Sequence, residues 1–304
     1  MFVTLRYEKD FMNIRQLGFF ILLMFSLPVS AQQDFEYLGV LRIQDTLMIS
    51  YQIMFSEEDG NISGYSITDL SGPHETKSYL SGYFDDEENT LEFYESGILY
   101  TKSPIVEADF CYVHFSGNLR KVNERQRIKG SFKGMYDNGD TCIDGEIVMD
   151  GYGKILKRAK RLDRKVDRSA FVSKEKKDQV DLVKTLDTLL MNQITANEVL
   201  RVYTPDPKVT VKFYDAGKED NDRINLSVNG QSLFSDHEVT RKEETLELEL
   251  GADGLMIQIE ALNEGSSPPN TVRLEVIDNR NRMQTLTNLK KGQKAGLHIL
   301  PSRN

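Results

Sequence analysis

Eight short segments between Phe35 and Met149 are rich in apolar, aromatic and β-branched residues, and six of them carry a central glycine. Clusters of Gly, Asn and Asp separate these segments, a pattern typical of β-strands. Glycine weakens a flat strand, so its repeated use indicates sharp bends or close backbone contacts, as in a sheet that curls into a barrel. We therefore predict an antiparallel meander that closes into a barrel, with a two-sheet sandwich as the alternative. The glycines lie in Leu38-Gly39, Ser63-Gly64, Ser81-Gly82, Ser116-Gly117, Lys129-Gly130 and Asp144-Gly145.

The spacing of these strands and glycines is similar to that of calycin-type barrels. The resemblance implies a barrel fold over residues 32–153 and assigns no ligand. The predicted strands are Phe35–Ile43, Thr46–Phe55, Ile62–Thr68, Ser78–Phe84, Thr90–Tyr94, Phe110–Leu119, Arg127–Met135 and Ile143–Met149.

A charged segment with helical periodicity follows, and we predict a helical linker over residues 154–199. Its first helix is dense in Lys and Arg from Lys154 to Arg168. This density favours a solvated face of a helix packed on the barrel over a contact with an anionic surface. Ser173 is the predicted N-cap of a second helix. The apolar stripes are Ile155, Ala159, Leu162 and Val166 in the first helix, and Val180, Val183, Leu186 and Leu190 in the second.

Residues 200–304 return to a β pattern, so the whole chain is predicted to be mainly β. Asn229-Gly230 between two short apolar runs is a strong hairpin signal. The spacing of strands and turns is typical of a β-sandwich of immunoglobulin or jelly-roll type. The segments Ile224–Gly230 and Ala261–Thr271 resemble C-terminal β-sandwich modules of exported bacterial proteins, over Val209–Ile299. That resemblance implies an appended module and assigns no site residue.

The N-terminus carries the pattern of a secretory signal peptide, with translation predicted to start at Met12. Arg15 supplies the positive charge, Leu17 to Phe25 the apolar stretch, and Pro28 to Ala31 the small-residue cleavage site. The apolar stretch is too short to span a bilayer. Residues 1–31 are therefore predicted to be removed, leaving a secreted or periplasmic protein without stable membrane insertion.

The net charge of the chain bears on whether it binds nucleic acid, and its cysteine content bears on whether it forms a disulfide. The net charge of −9 disfavours nucleic acid as a partner, since phosphate binding needs basic surfaces. Cys111 and Cys142 are the two cysteines of the 304-residue chain. An exported protein meets an oxidising compartment, so we predict a Cys111–Cys142 disulfide, with two free thiols as the alternative.

An acidic cluster between two predicted strands of the C-terminal domain is a candidate site for structural Ca²⁺, which prefers six to eight oxygen ligands. The alternative is a solvated turn whose Asp and Asn side chains stabilise the backbone. No other cofactor is predicted. The candidate calcium ligands are Asp215, Glu219, Asp220 and Asp222.

A repeated Thr-Lys-Ser tripeptide marks a candidate ligand-binding patch. It occurs at residues 76–78 and 101–103, each near a strand end and a carboxylate. If both copies lie at one rim of the barrel, they form a polar mouth suited to a sugar or another hydroxyl-rich ligand. The alternative is a pair of exposed strand ends. The predicted ligand-binding residues are His74, Glu75, Lys77, Glu95 and Lys102.

Local catalytic motifs are missing from the sequence: it holds no Gly-x-Ser-x-Gly elbow, no His-Glu-x-x-His and no clustered histidines. We therefore assign no catalytic residue and favour an exported, non-catalytic binding protein for a glycan, a small molecule or an envelope partner. One alternative is a glycan hydrolase, which requires two carboxylates about 5 to 10 Å apart in an open cleft. Another is a lipocalin-like carrier of a small apolar ligand, with a barrel cavity of at least about 300 Å³.

Overall fold

The computed structural model describes residues 33–44, 46–122, 125–169, 173, 181–217 and 219–302. The predicted signal peptide and Val180 lie outside these residues. The helices are α1, Tyr152–Arg168, and α2, Leu182–Leu189, with a short 3-10 helix at Glu107–Asp109. The strands are β1 Gln33–Ile43, β2 Leu47–Glu58, β3 Asn61–Thr68, β4 Thr76–Asp85, β5 Thr90–Thr101, β6 Tyr112–Val122, β7 Arg125–Met135, β8 Thr141–Gly151, β9 Gln193–Thr195, β10 Val199–Thr204, β11 Lys208–Tyr214, β12 Arg223–Val228, β13 Gln231–Glu238, β14 Glu244–Glu249, β15 Leu255–Ala261, β16 Arg273–Ile277, β17 Arg282–Asn288 and β18 Lys294–Pro301.

Strands β1 to β8 form a closed antiparallel barrel, as predicted. Each strand pairs with the next along the chain, and β1 closes the barrel against β8, with Tyr37 opposite Gly151. Inward-facing side chains fill the interior with aromatic and aliphatic groups, as the alternation of a strand requires. The largest of these buried side chains include Tyr37, Tyr51, Phe55, Leu80, Phe93, Phe115, Phe132, Ile147 and Met149.

The central glycines allow close contact between neighbouring strands. Gly117 of β6 lies directly opposite Gly130 of β7, and a Cβ on Gly117 would come within 2.6 Å of the Gly130 Cα. Gly39 of β1 is equally constrained, because a Cβ there would lie 2.6 Å from the Met149 Cα. No side chain fits at such a distance, so the close backbone contact inferred from the sequence is confirmed at these positions.

The predicted disulfide is also confirmed. Cys111 precedes β6 and Cys142 lies in β8, so the bond joins segments on either side of β7. The two Cα atoms are 6.1 Å apart, within the range that a disulfide spans. Gly134 of β7 lies beneath the bond, where a Cβ would meet both sulfur atoms. The bond therefore fastens one side of the barrel.

Strand β5 continues beyond the barrel and connects it to the C-terminal strands. Its last residues, Tyr100 and Thr101, pair with β10, which lies in a row ordered β10-β18-β15-β12-β13. A second sheet has the order β14-β11-β16-β17-β9. Both sets of strands contribute buried side chains to one core, including Val202, Val211, Phe213, Leu226, Ile257, Leu274, Val276 and Ile299.

The Asn229-Gly230 hairpin is confirmed between β12 and β13, and both residues adopt the positive φ that this turn requires. Strand β9 differs from the prediction, which placed residues 193–195 in the helical linker, and β10 begins at Val199, the last residue of that linker. Both strands owe their place to distant partners, since β9 pairs with β17 and β10 with β18 and β5. Local sequence carries little information about such pairings.

Helix α1 presents most of its Lys and Arg side chains to solvent and buries Ala159, although Leu162 of its predicted stripe is 49 % exposed. Helix α2 begins at Leu182, and its N-cap is Asp181, whose carboxylate accepts from the Lys184 N–H. No helix in the described part of the chain is long and apolar enough to cross a membrane. The α2 segment covers the outer barrel wall, where Leu186, Leu189 and Leu190 pack near Leu38 and Ile67.

Candidate ligand-binding site

The structure separates the five predicted ligand-binding residues into different environments. Glu75 and Lys102 form a buried ion pair at 3.7 Å, with 3 % and 4 % of their side-chain surfaces exposed. The Tyr100 hydroxyl and the Ser71 N–H also donate to Glu75. Burial raises the pKa of Glu75, and the Lys102 charge opposes that effect. Both side chains are therefore occupied by internal contacts.

Glu95 points into the barrel rather than to a rim. Its carboxylate accepts hydrogen bonds from the Tyr51 hydroxyl at 2.9 Å, the Ser66 hydroxyl at 2.5 Å and the Val113 N–H at 2.8 Å. Burial raises its pKa despite these three donors. His74, by contrast, lies at the surface with its Nδ1 3.1 Å from the Ser103 hydroxyl. Neither residue belongs to the lining of the cavity described next.

Lys77 reaches a cavity on the outer wall of the barrel. Along β4, the side chains of even-numbered residues such as Leu80 face the interior and those of odd-numbered residues face outward. The outward-facing Lys77 ammonium lies 4.3 Å from the centre of the Tyr65 ring, a cation–π contact. Of the five predicted residues, Lys77 alone is part of the cavity lining.

The cavity has a volume of about 420 Å³ and lies between the barrel wall, the segment after α2 and the second sheet. Beside it, Asn281 accepts from the Tyr65 hydroxyl and donates to the Tyr79 hydroxyl, which holds the barrel to the second sheet. The lining consists of Glu36, Gln52, Met54, Ile67, Lys77 and Tyr100 on the barrel, Leu190, Met191 and Asn192 after α2, and Arg273, Arg282, Met283, Gln284, Thr285 and Leu286 on the second sheet.

An irregularity in β5 shapes the barrel side of this cavity. Lys77 pairs with Tyr100, Ser78 with Ile98 and Tyr79 with Ser96, so β5 carries extra residues at 97 and 99. Gly97 has φ +66°, a conformation that glycine adopts without strain. Such bulges bend a strand and redirect its side chains. This one lies where β5 leaves the barrel to pair with β10.

Some polar groups of the cavity have hydrogen-bond or ion-pair partners, and others have none among the described residues. Glu36 accepts from Gln52 at 2.7 Å, and Arg282 pairs with the fully buried Glu275. In contrast, the Arg273 Nε and the Asn192 Oδ1 are buried with no hydrogen-bond partner among the described residues. Buried polar atoms are nearly always partnered in proteins, so these two can each be satisfied by a polar ligand atom.

The described lining of this cavity does not contain the pair of carboxylates that glycoside hydrolysis requires. Glu36 is the single carboxylate in the described lining, which contains no histidine, cysteine or serine. Two carboxylates would be required for glycoside hydrolysis. The arrangement is suited to binding, because apolar and polar side chains share one concave surface.

Most residues of this site could not be predicted from the sequence, although the sequence contains one indication that the outer wall of the barrel is covered. On the outward face of β2 and β3, Met54 and Ile67 are apolar where a solvent-facing barrel wall would be polar. Together with outward-facing Leu38 of β1, they indicate a wall covered by another part of the chain. The sequence does not reveal that this part is α2 and β17.

The four candidate calcium ligands each stabilise the backbone instead of sharing one centre. Their carboxylates accept N–H groups: Asp215 from Gly217, Glu219 from Arg241, Asp220 from Ser267 and Asp222 from Thr271. No three His, Cys, Asp or Glu side chains of the described residues form a metal-binding group. These contacts match the stabilised turn that was the alternative, and structural calcium stays a prediction.

We expect Asp222→Asn to increase stability at pH 7.5 by about 1 kcal/mol. Burial, with the nearby Asp220, Asp215 and Glu264 charges, raises the pKa of Asp222 from 3.8 to about 6. Neutral Asp222 thus stabilises the fold fully below pH 3.8, and this contribution is lost as the pH rises through about 6. Urea unfolding at pH 4 and 7.5 measures the difference, which should shrink at the lower pH.

The exposed Asp253→Asn is the control and should change stability by less than about 0.5 kcal/mol. A lower stability of Asp222→Asn at pH 7.5 would show that a positive charge compensates Asp222. Calcium added at millimolar concentration would then be expected to raise the wild-type Tm and not that of the variant.

A comparison of the chain with protein-family models, curated proteins and solved structures finds no match.

Proposed function

We propose that this chain is an exported, non-catalytic binding protein whose ligand occupies the cavity between the barrel wall and the second sheet. The observation that carries the proposal is the cavity itself, at about 420 Å³ with a mixed apolar and polar lining. Sites for small ligands usually have volumes of about 300 to 1,000 Å³ and this kind of lining. The Arg273 Nε and the Asn192 Oδ1, which have no partner in the described part of the chain, support it, because a ligand can satisfy them.

A domain arrangement is part of this proposal. Residues 32–153 form a calycin-like domain, residues 154–199 a linker that contains α1, α2 and the short strand β9, and residues 200–304 a β-sandwich of jelly-roll or immunoglobulin type. The core shared by β11, β16 and β17 with β12, β15 and β18 supports the sandwich. The ligand site then lies outside the barrel, since aromatic and aliphatic side chains pack its interior. That packing favours the outer cavity over an internal carrier site.

Export to the periplasm or the exterior is supported by two independent features. The signal-peptide pattern of residues 12–31 is one of them. The other is the Cys111–Cys142 disulfide, because such bonds persist in oxidising compartments. In this setting the ligand is a small molecule or a glycan fragment. The single carboxylate among the described residues of the lining favours binding over glycan hydrolysis.

Filling the cavity should weaken ligand binding. Met54→Trp places an indole in the lining, whereas Met48→Trp makes the same change at an exposed position of the same strand. A library of metabolites and oligosaccharides is screened by thermal shift on the wild type, and affinities for the hits are measured by calorimetry. We expect affinity to fall at least about tenfold in Met54→Trp and to stay within about twofold in Met48→Trp.

If Met54→Trp does not fold, Met191→Trp fills the cavity from the segment after α2. A library without any hit, or hits bound equally well by both cavity variants, would overturn the proposed site.

A further inference from the structure

Lys77 is a half-buried cation without a carboxylate partner among the described residues. Its ammonium contacts the face of Tyr65, and burial lowers the pKa of Lys77. The cationic form of a lysine is costly to desolvate unless an anion lies nearby. The other buried lysine of the predicted patch, Lys102, has such a partner in Glu75. Lys77 differs from it in that its charge remains free to attract an anion in the cavity.

A second cation on the opposite wall adds to this charge. Arg273 of β16 donates one guanidinium N–H to the Gln284 side chain at 3.2 Å, and its Nε has no partner among the described residues. Arg282 contributes little, because Glu275 neutralises it. The one carboxylate in the described lining, Glu36, accepts from the neutral Gln52 and offsets one of the two remaining positive charges. The uncompensated charge of the cavity is therefore positive.

The apolar side chains of the lining are suited to the apolar body of a ligand. Met54 and Ile67 on the barrel and Leu286 on β17 line the cavity, with Leu190 and Met191 beside them. Met283 packs in the C-terminal core and adds to the lining from there. Methionine side chains are flexible and polarisable, so they adapt to apolar ligands of irregular shape. A sugar, which needs several polar partners around its ring, suits these side chains less well.

From this placement we infer that the ligand is a small anion with an apolar body, a carboxylate of medium chain length or a compound of similar chemistry. The anionic group lies between Lys77 and Arg273, and the apolar body lies against the methionines. The inference rests on the proposed binding function and adds the chemical class of the ligand. Because the attraction acts in a partly desolvated site, the charge contributes more than it would at the surface.

Three probes with one tail and different head groups test the inference: octanoate, 1-octanol and octylamine. Calorimetric titration of the full mature protein at pH 7.5 should give at least tenfold tighter binding of octanoate than of octanol, and weaker binding of octylamine. Octanoate that binds no more tightly than octanol, or not at all, overturns the inferred ligand class. The library screen with Met54→Trp judges the binding function separately, since a neutral ligand found there would keep the function and exclude the anion.

Matched variants identify the cation responsible. Lys77→Met should lower octanoate affinity at least tenfold and leave octanol affinity within about twofold, whereas Lys77→Arg should retain most of the octanoate affinity. Lys133→Met, at an exposed position of the barrel, is the control. Octanoate binding that is equal in Lys77→Met and Lys133→Met would exclude Lys77 as the anion partner. Lys77→Gln replaces Lys77→Met if that variant does not fold.

Discussion

Removal of the Cys111–Cys142 disulfide should lower the free energy of unfolding by about 4 kcal/mol. The bond closes a loop with a sequence separation of 31 residues, and breaking it releases that loop in the unfolded chain. Chain entropy gives this magnitude because loop-closure entropy grows with the logarithm of loop length. Urea unfolding of the Cys111→Ala/Cys142→Ala double variant measures the loss. A protein of this size should show a Tm decrease of about 10 °C.

Chemical reduction provides the control for this variant. The reduced wild type should unfold close to the midpoint of the double variant, and the double variant should not respond to reductant. Equal midpoints for the oxidised wild type and the double variant would contradict the prediction. Gly134→Val is an independent check, because a side chain there meets both sulfur atoms and should hinder formation of the bond.

The barrel could be predicted from sequence because its signals are local. Each strand alternates apolar and polar residues, and the central glycines report how closely the strands approach, as Gly117 and Gly130 show. The Asn229-Gly230 turn is equally local. The signals for strands β9 and β10 are not local, because their partner strands lie 93 or more residues away along the chain; Thr195, for example, pairs with Asn288.

The candidate site was harder to predict because burial of a polar strand end depends on what covers it. The two Thr-Lys-Ser copies have the same local sequence, yet Lys102 is buried against Glu75 and Lys77 faces a cavity. Alternation assigns each side chain to a face of the sheet, and it does not reveal that α2 and β17 lie over the outer face. The register shift in β5 also moves Tyr100 relative to a regular strand, which the sequence does not indicate.

Glu95→Leu should destabilise the barrel by about 3 to 5 kcal/mol. The Glu95 carboxylate is the acceptor for the Tyr51 hydroxyl, the Ser66 hydroxyl and the Val113 N–H. A leucine leaves these donors buried without an acceptor, and each unsatisfied group costs about 1 to 3 kcal/mol. The neutral side chain removes the cost of burying a charge, which offsets part of the loss. Urea unfolding at pH 7.5 measures the net effect.

Glu95→Gln separates the hydrogen bonds from the charge. Its amide oxygen can accept from the Val113 N–H while its NH₂ group donates to the hydroxyls, so we expect a change of less than about 1 kcal/mol at pH 7.5. Burial raises the pKa of Glu95 above its ordinary value of 4.5. Neutral Glu95 therefore stabilises the fold fully below pH 4.5, and this contribution declines as the pH rises through the folded-state pKa. The neutral variant should gain stability relative to the wild type over that range.

Glu92→Leu, at an exposed position of the same strand, is the control for Glu95→Leu and should change stability by about 0.5 kcal/mol or less. If Glu95→Leu proved no more damaging than Glu92→Leu, the carboxylate would not be the acceptor that holds Tyr51 and β6 together.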